Sequence, residues 1–297
     1  MSEPVEILQR KIANAGTLGS VVRTMKTLAA INIRQYEEAV KALGDYYRTV
    51  ELGLAECLRR GNGWRTGLQN QKEKEFLTII VAFGSDQGLV GQFNDQLAES
   101  VRIKLQSISG SSTVLSVGER IQLRLEDSGI HSGKLFTVPN SVNAITPLIG
   151  DLLSAVEHLR EQVSGIELHL LYNSPVSGEL YRSISKRVLP LDEAWEKEII
   201  SSAGIWPTKA KPEILNGLET AQWALVREYL FVSLFRSCAE SLESENSSRL
   251  SAMQRAEKNI DDMLEELTKL YNERRQASID EELFDVVSGF QALNNRK

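Results

Sequence analysis

The stretch MQRAEKNIDDMLEELTKL, from Met253 to Leu270, decides how this chain is built. Its apolar side chains recur as Met253, Ala256, Ile260, Met263, Leu267 and Leu270. Steps of three and four hold these residues on one narrow seam of a helix, as in a coiled coil. No proline follows Pro212, so the pattern predicts a single helix from Glu213 to about Leu293. At a rise of ~1.5 Å per residue that helix is on the order of 120 Å long, against a radius of gyration of roughly 19 Å for a compact body of this chain length. It has to project from its own domain or break.

A second seam lies at the other end of the chain. From Leu8 every seventh residue reads Leu8, Ala15, Val22, Ala29, Tyr36, Leu43, Val50 and Cys57, with Leu18, Met25, Ala39 and Tyr46 in a companion position three residues further on. Ala15, Ala29 and Ala39 let a neighbour approach closely. Gly16, Gly19, Gly44 and Gly53 each weaken the helix by up to ~1 kcal/mol relative to alanine, so it needs a partner. All seven prolines sit at Pro4 or between Pro139 and Pro212, which leaves both ends free to be helical. The expectation is a long antiparallel two-helix coiled coil of the N- and C-terminal helices, residues 1–60 and 213–297, around a central α/β domain, residues 61–212.

Gly61 to Gly67 is glycine-rich and closes the first helix, and the polar stretch to Glu75 reads as a mobile surface loop. Phe76 to Phe83, FLTIIVAF, is a strand apolar on both faces, the kind found in parallel sheets. Helical spacing follows from Phe93 to Leu105, a short strand at Val114 to Val117, a helix from Glu119 to about Asp127, and a strand at Lys134 to Val138. Next come a helix from about Ile145 to Gln162 and a strand from Glu167 to Tyr172. This alternation predicts an open α/β sheet, with Tyr181 to Pro190 as an edge strand and Trp195 to Pro212 irregular.

Composition narrows the function classes. A chain of 297 residues that is 42% hydrophobic and 25% charged has material for a sizeable core, which excludes disordered and collagen-like classes. The net charge of −6 argues against a surface given over to nucleic acid. Cys57 and Cys238 match no metal or redox spacing and read as buried thiols of a cytoplasmic protein. The opening MSEPVE is acidic where a signal peptide is basic, and no apolar run approaches the roughly 20 residues that cross a bilayer. Any membrane association has to come through another subunit.

Gly84 to Gly91, GSDQGLVG, follows a buried strand and precedes a helix, where a nucleotide-binding loop would sit, yet it carries no dinucleotide or P-loop fingerprint. It reads as a structural turn. His131, His158 and His169 stand near no nucleophile or ligand cluster, and Asp261-Asp262 and Glu265-Glu266 read as a charged outer face. No cofactor or metal ligand set emerges. Glu240 to Arg249, with Ser241, Ser244, Asn246, Ser247 and Ser248, is too polar for a buried helix interior and reads either as a solvated turn or as a contact with another protein. Tyr271 to Ser278 poses the same question, because a polar run interrupts the seam there.

These last segments resemble a known family. SSRLSAM from Ser247 to Met253, Asn259, Leu267 followed by YNERRQAS to Ser278, Ile279, Glu282-Leu283 and VVSG from Val286 to Gly289 are similar to the C-terminal signature of the gamma subunit of F-type ATP synthases. FGSDQGLVGQFN from Phe83 to Asn94, Leu171-Tyr-Asn173, Leu189-Pro-Leu191 and the weaker Ile12-Ala13 and RTMKTLAA, Arg23 to Ala30, extend the resemblance over nearly the whole chain in order. The resemblance implies a non-catalytic rotor. In that picture an antiparallel coiled coil stands inside a hexamer of alpha and beta nucleotide-binding subunits, with a Rossmann-like domain at its foot near the epsilon subunit and the membrane c-ring. It also implies a peripheral location at the cytoplasmic face of the inner membrane. By family position Arg275 and Gln276 contact the catch loops of the catalytic subunits, Arg249 and Met25 lie at their lever region, and Glu282 shares in the coupling. The family's basic residues are missing at Gly16 to Val21 and at Ile31-Asn32, Asp280 stands where threonine is common, and Arg255 to Lys258 replaces a more neutral turn. Those departures suggest an unusual lineage, one candidate being the alternate bacterial enzymes that resemble sodium-translocating ATPases.

Read without the family, the same residues leave two other classes open. One is a coiled-coil adaptor whose α/β domain binds a small ligand. The other is a nucleotide-binding α/β enzyme that depends on Gly88 and Gly91.

Overall fold

The computed structural model describes residues 4–61, 76–163, 165–191, 193–204, 206–208, 210, 212–215 and 217–294. The loop expected between Gly61 and Glu75 lies, beyond Gly61, outside the described residues. The chain forms two compact units, one of Met1–Ala29 with Leu250–Lys297 and one of Ala30–Arg249.

The second unit is built on a sheet of five strands in the order β3-β2-β1-β4-β5. β1 (Phe76–Phe83) pairs in parallel with β2 (Ser111–Val117) and β4 (Gly165–Val176), and β2 pairs in parallel with β3 (Ser132–Phe136). β5 (Glu179–Leu189) closes one edge, antiparallel to β4. Both sheet faces are covered, which is why FLTIIVAF lacks polar alternation. On one face Ile80, Ala82, Val114 and Leu171 pack against Leu97 and Val101 of α2 (Phe93–Gln106) and Ile121 and Leu125 of α3 (Glu119–Asp127). On the other, Ile79, Val81, Phe83, Leu115, Leu168 and Leu170 meet Ile145, Ile149 and Leu152 of α4 (Ile145–Gln162), preceded by the short turn Val142–Ala144. The same core takes in Val50, Leu54 and Leu58 of α1 (Val5–Arg60) and Val226, Tyr229, Leu234 and Leu242 of α6 (Leu218–Asn294).

Strands β2, β3 and β4 differ by a few residues at their ends from the sequence reading, and two larger differences concern helices. Trp195 to Pro212 is not irregular throughout, because Glu193–Ser202 forms α5. Trp195, Ile199 and Ala203, spaced by four, are all buried, and the Trp195 ring meets Tyr229 edge-on at 5.6 Å. Ten residues flanked by polar chain are too few for that one-sided pattern to stand out. The last helix starts at Leu218 rather than Glu213, after Gly217 in the left-handed region with φ 85°.

In the first unit α1 and α6 run antiparallel, with Gly19 against Ile260 and Lys26 against Glu257. Leu8, Ala15 and Ala29 are buried as the seven-residue repeat requires, but the companion positions are four residues on, not three. Ile12, Gly19 and Lys26 turn toward α6, while Leu18 is 58% exposed. Residue type misled the reading, since leucine and methionine looked better seam residues than glycine and lysine. Gly19 faces Ile260, whose Cγ2 stands at an ordinary contact distance of 3.4 Å from where a Cβ would lie, and Lys26 Nζ reaches Glu257 at 2.5 Å. On α6 the same one-residue correction applies. Leu264 and Tyr271 enter the seam beside Met253, Ile260 and Leu267, and Met263 and Leu270 are exposed. In the second unit the companion line continues as Ile33, Val40, Tyr47 and Leu54, leaving Tyr46 exposed.

Candidate functional site

In a doubly wound sheet the crevice for ligands opens beyond the carboxyl ends of the strands where the connections diverge, here between β1 and β4. The loop from Gly84 to Gly91 leaves β1 at that point, and its own groups close it. Asp86 accepts hydrogen bonds from Glu119 N and Val138 N, both at 2.9 Å, so a carboxylate of the chain takes the first amide of α3. Asn94 accepts from Ser85 N and donates to Ser85 Oγ, and Gly84 N donates to Val117 O. A side chain at Gly84 has no room, because a Cβ would fall 2.3 Å from Ile121 Cβ.

The crevice itself is filled by α6. Ser241 Oγ donates to Phe83 O at 2.8 Å, Ser248 Oγ donates to Val90 O at 2.5 Å, and Ser174 Oγ at the end of β4 donates to Glu240 at 2.8 Å. Ser233, Ser237, Ser241, Ser244 and Ser248, in steps of four, four, three and four, form a buried line of small side chains that lets the helix come close to the sheet edge. This overturns the reading of Glu240 to Arg249 as solvated or as a contact with another protein. Glu240, Glu245, Asn246 and Arg249 are all at most 9% exposed. Arg249 pairs with Glu245 at 2.6 Å, Glu240 with Arg236 at 2.6 Å, and Asn246 with the Leu242 carbonyl and Asn32. The stretch is buried despite its polarity because almost every polar group has a partner. Ser244 Oγ and Arg249 Nε are exceptions. Burial pushes the Glu245 carboxyl up and Arg249 pulls it back; half-buried Glu243, crowded by Glu37 and Glu240, is pushed up to about 7, chiefly by burial.

Where β5 meets the two helices, Lys186 lies 5.4 Å from the Tyr47 ring and 5.8 Å from the Tyr229 ring, and its Nζ donates to Tyr47 Oη at 3.4 Å. Burial, followed by repulsion from Arg236, lowers the Lys186 pKa against the pull of Glu51, Glu240 and Glu198. Of the charges around Lys186, Arg236 and Glu240 pair with each other at 2.6 Å. His169 donates its Nε2–H to Glu167 Oε1 at 2.8 Å and is held below its ordinary range chiefly by burial, as a packed histidine. Cys57 and Cys238 are free and buried, as expected. Among the described residues no group of three His, Cys, Asp or Glu is placed to hold a metal ion, and no helix is long and apolar enough to cross a membrane.

The coupling residues expected from the resemblance fall in different surroundings. Arg249 is buried on Glu245, in the second unit. Met25, in the first, is half-buried beside the coil seam. Arg275, Gln276 and Glu282 are exposed, on a length of α6 where every described side chain from Asn272 to Ser288 is exposed. That tip carries large apolar residues, most of them within the stretch that resembles the family signature. Leu283 is 63%, Phe284 72% and Val286 72% exposed, alongside Ile279 and Val287. Their near-helical spacing was visible, but it reads equally as a seam facing a partner helix.

These features define a class: a two-helix coil and a doubly wound α/β body whose ligand crevice is taken by its own C-terminal helix. A sequence model of the ATP synthase family matches residues 5–293. The ATP synthase gamma chain of Glaesserella parasuis is 25% identical over 96% of this chain and 98% of its own length. The mitochondrial ATP synthase gamma subunit of Pichia angusta is 23% identical over 97% and 98%. In fold the chain is similar to the rotor of Euglena gracilis mitochondrial ATP synthase, with a TM-score of 0.58 at 16% identity over 93% of this chain and 98% of that one. The central stalk of the Tetrahymena thermophila enzyme gives 0.54 at 18% identity over 80% and 99%. The chain belongs to the ATP synthase family, and within it to the gamma subunits, which are non-catalytic.

Proposed function

We propose that this chain is the central-stalk rotor of a rotary ATP synthase, transmitting ion-driven rotation of a membrane c-ring to a hexamer of alpha and beta subunits whose catalytic sites change state as it turns. It works peripherally, on the cytoplasmic face of the membrane, with the epsilon subunit at its base. The observation that carries the reading is the tip of α6. Ile279, Leu283, Phe284, Val286 and Val287, exposed together on one length of helix, mark a surface for a partner that covers them. Arg275, Gln276 and Glu282 have no hydrogen bond or ion pair within the chain among the described residues, so their polar groups are free for catch-loop contacts that break and re-form at each step. Met25 takes part at the lever region. Arg249, tied to Glu245, acts there through the seat of α6 rather than by reaching outward.

The filled crevice disfavours the nucleotide-binding and ligand-adaptor readings, since a ligand there would have to displace Ser241 and Ser248. The test is purification of the tagged chain from its native source, followed by replacement of Arg275 and Gln276 by alanine together. A co-purifying hexameric ATPase, with coupled activity reduced several-fold in the double variant and an unchanged circular dichroism spectrum, is the expected result. Absence of ATPase subunits refutes the function, and full coupling in the variant refutes the assignment of those two residues.

A further inference from the structure

Between α4 and the open β3 edge of the sheet lies a cavity of about 420 Å³, within the size range of small-molecule sites. Thr113 and Leu115 of β2, Gly133 and Lys134 of β3, and the last part of α4 from Ser154 line it, which puts it toward the amino ends of the strands. The crevice that α6 fills lies at their carboxyl ends, so the cavity is a separate place.

A bulge shapes its mouth. Val114 pairs with Ser132 but Leu115 with Lys134, so Gly133 is an extra residue without a partner in the ladder. Strict alternation would put Lys134 on the same face as Ser132, whose hydroxyl bonds that of Ser116 at 2.7 Å on the α2 and α3 side of the sheet. The inserted glycine turns Lys134 to the face of Leu115, toward α4. It also leaves the Thr113 hydroxyl uncovered, because a Cβ at Gly133 would stand 3.0 Å from Thr113 Oγ1.

The polar groups around the cavity are free to take a ligand. Lys134 Nζ lies 4.9 Å from the centre of the Phe136 ring. Neither it nor the hydroxyls of Thr113 and Ser154 make a hydrogen bond or ion pair within the chain among the described residues. Ser154 differs in this from Ser100 of α2, whose hydroxyl turns back to Gln96 O at 2.9 Å. One turn after Ser154, His158 Nε2 accepts from Gln162 Nε2 at 3.1 Å, which leaves the ring proton on Nδ1. Among the described residues no carboxylate lines the cavity, and Leu115 and Leu159 give it an apolar wall.

We infer that this cavity binds a small phosphate monoester, with the phosphate between Lys134, His158 and the two hydroxyls and the organic part against Leu115 and Leu159. A phosphate, with three terminal oxygens and a charge of about −1.5 to −2, suits an ammonium, a ring N–H and two hydroxyls that arrive from three elements; a carboxylate presents two oxygens in one plane. The inference does not depend on the rotor reading, and the crevice that an enzyme or adaptor would need stays closed.

The test is isothermal titration calorimetry of the full-length chain with phenyl phosphate, inorganic phosphate and benzyl alcohol. Saturable binding of phenyl phosphate is expected, about tenfold or more tighter than of inorganic phosphate, with none of benzyl alcohol. Lys134→Met weakens it about tenfold or more, the worth of one charge-assisted hydrogen bond, and Lys134→Arg keeps most of it. Ser154→Leu removes a hydroxyl and fills part of the cavity with a good helix former, and binding is lost. Lys197→Met, at an exposed lysine of α5, leaves it unchanged. Circular dichroism of each variant confirms the fold. No saturable binding, equal affinity for phenyl phosphate and inorganic phosphate, benzyl alcohol binding as tightly, indifference to both Lys134→Met and Ser154→Leu, or an equal loss in Lys197→Met each overturns the proposal. Loss of ATPase association leaves these outcomes untouched and bears on the rotor reading alone.

Discussion

Replacing Arg249 by methionine tests whether the seat of α6 is held by paired charge. The Arg249 and Glu245 side chains are 11% and 6% exposed, with Nη2 and Oε1 2.6 Å apart. Removing the guanidinium leaves a carboxylate in the core with no counter-charge, which costs ~3–5 kcal/mol in comparable sites. For a body of this size, at ~2–4 °C per kcal/mol, the melting temperature falls by about 10 °C. The double variant Glu245→Leu/Arg249→Met removes both charges and regains most of that loss, because the pair itself offsets its desolvation only in part, as the upward push on Glu245 indicates. The sign with pH follows. Glu245 is held above its ordinary range, so in Arg249→Met the folded state is favoured while the carboxyl is protonated and loses stability as pH rises through the folded pKa. The assay is urea and thermal unfolding at several pH values, followed at 222 nm. A loss below ~1 kcal/mol in the single variant, or a double variant as unstable as the sum of the two singles, refutes the reasoning.

Asp86→Ala removes the acceptor for Glu119 N and Val138 N and costs ~1–3 kcal/mol in urea unfolding without disturbing the coil. Gly84→Ala forces a Cβ to within 2.3 Å of Ile121 and costs about 3 kcal/mol or more, read as loss of soluble protein or a collapse of the urea midpoint. Glu243, with its pKa raised to about 7, stabilises the fold in acid and ceases to do so as pH rises through about 7. Glu243→Gln therefore flattens the fall in stability between about pH 5 and 8, by a modest amount because the side chain is partly in water. Phe284→Asp leaves the melting temperature of the isolated chain within about 1 °C, since that side chain is 72% exposed, but weakens assembly with the hexamer.

The sheet was legible because parallel, doubly covered strands such as FLTIIVAF announce themselves by unbroken apolar runs between turns. The coil was legible in its period and misjudged in its phase. Leu8, Ala15 and Ala29 fix one line, but the choice between Leu18 and Gly19 as companion rests on which the neighbour tolerates, and that neighbour is some 240 residues away in sequence. The seat of α6 was misread for a related reason: polarity was taken for solvation. The serine line at 233, 237, 241, 244 and 248 was present at helical spacing, a buried-helix signal written in small hydroxyls instead of aliphatics. What no local pattern discloses is that the acceptors are the main-chain oxygens of Phe83 and Val90. Of the contact residues inferred from resemblance, Arg275, Gln276 and Glu282 are exposed, Met25 is half-buried and Arg249 is buried.

The occupied crevice has a further consequence for control. A cofactor or effector in the usual place can be diluted, competed away or sensed by its concentration. A helix covalently attached to the body that binds it is not lost on dilution, so the crevice is occupied from the moment the α/β body folds. At that crevice, a fold that elsewhere reports on the supply of a metabolite has here become insensitive to it.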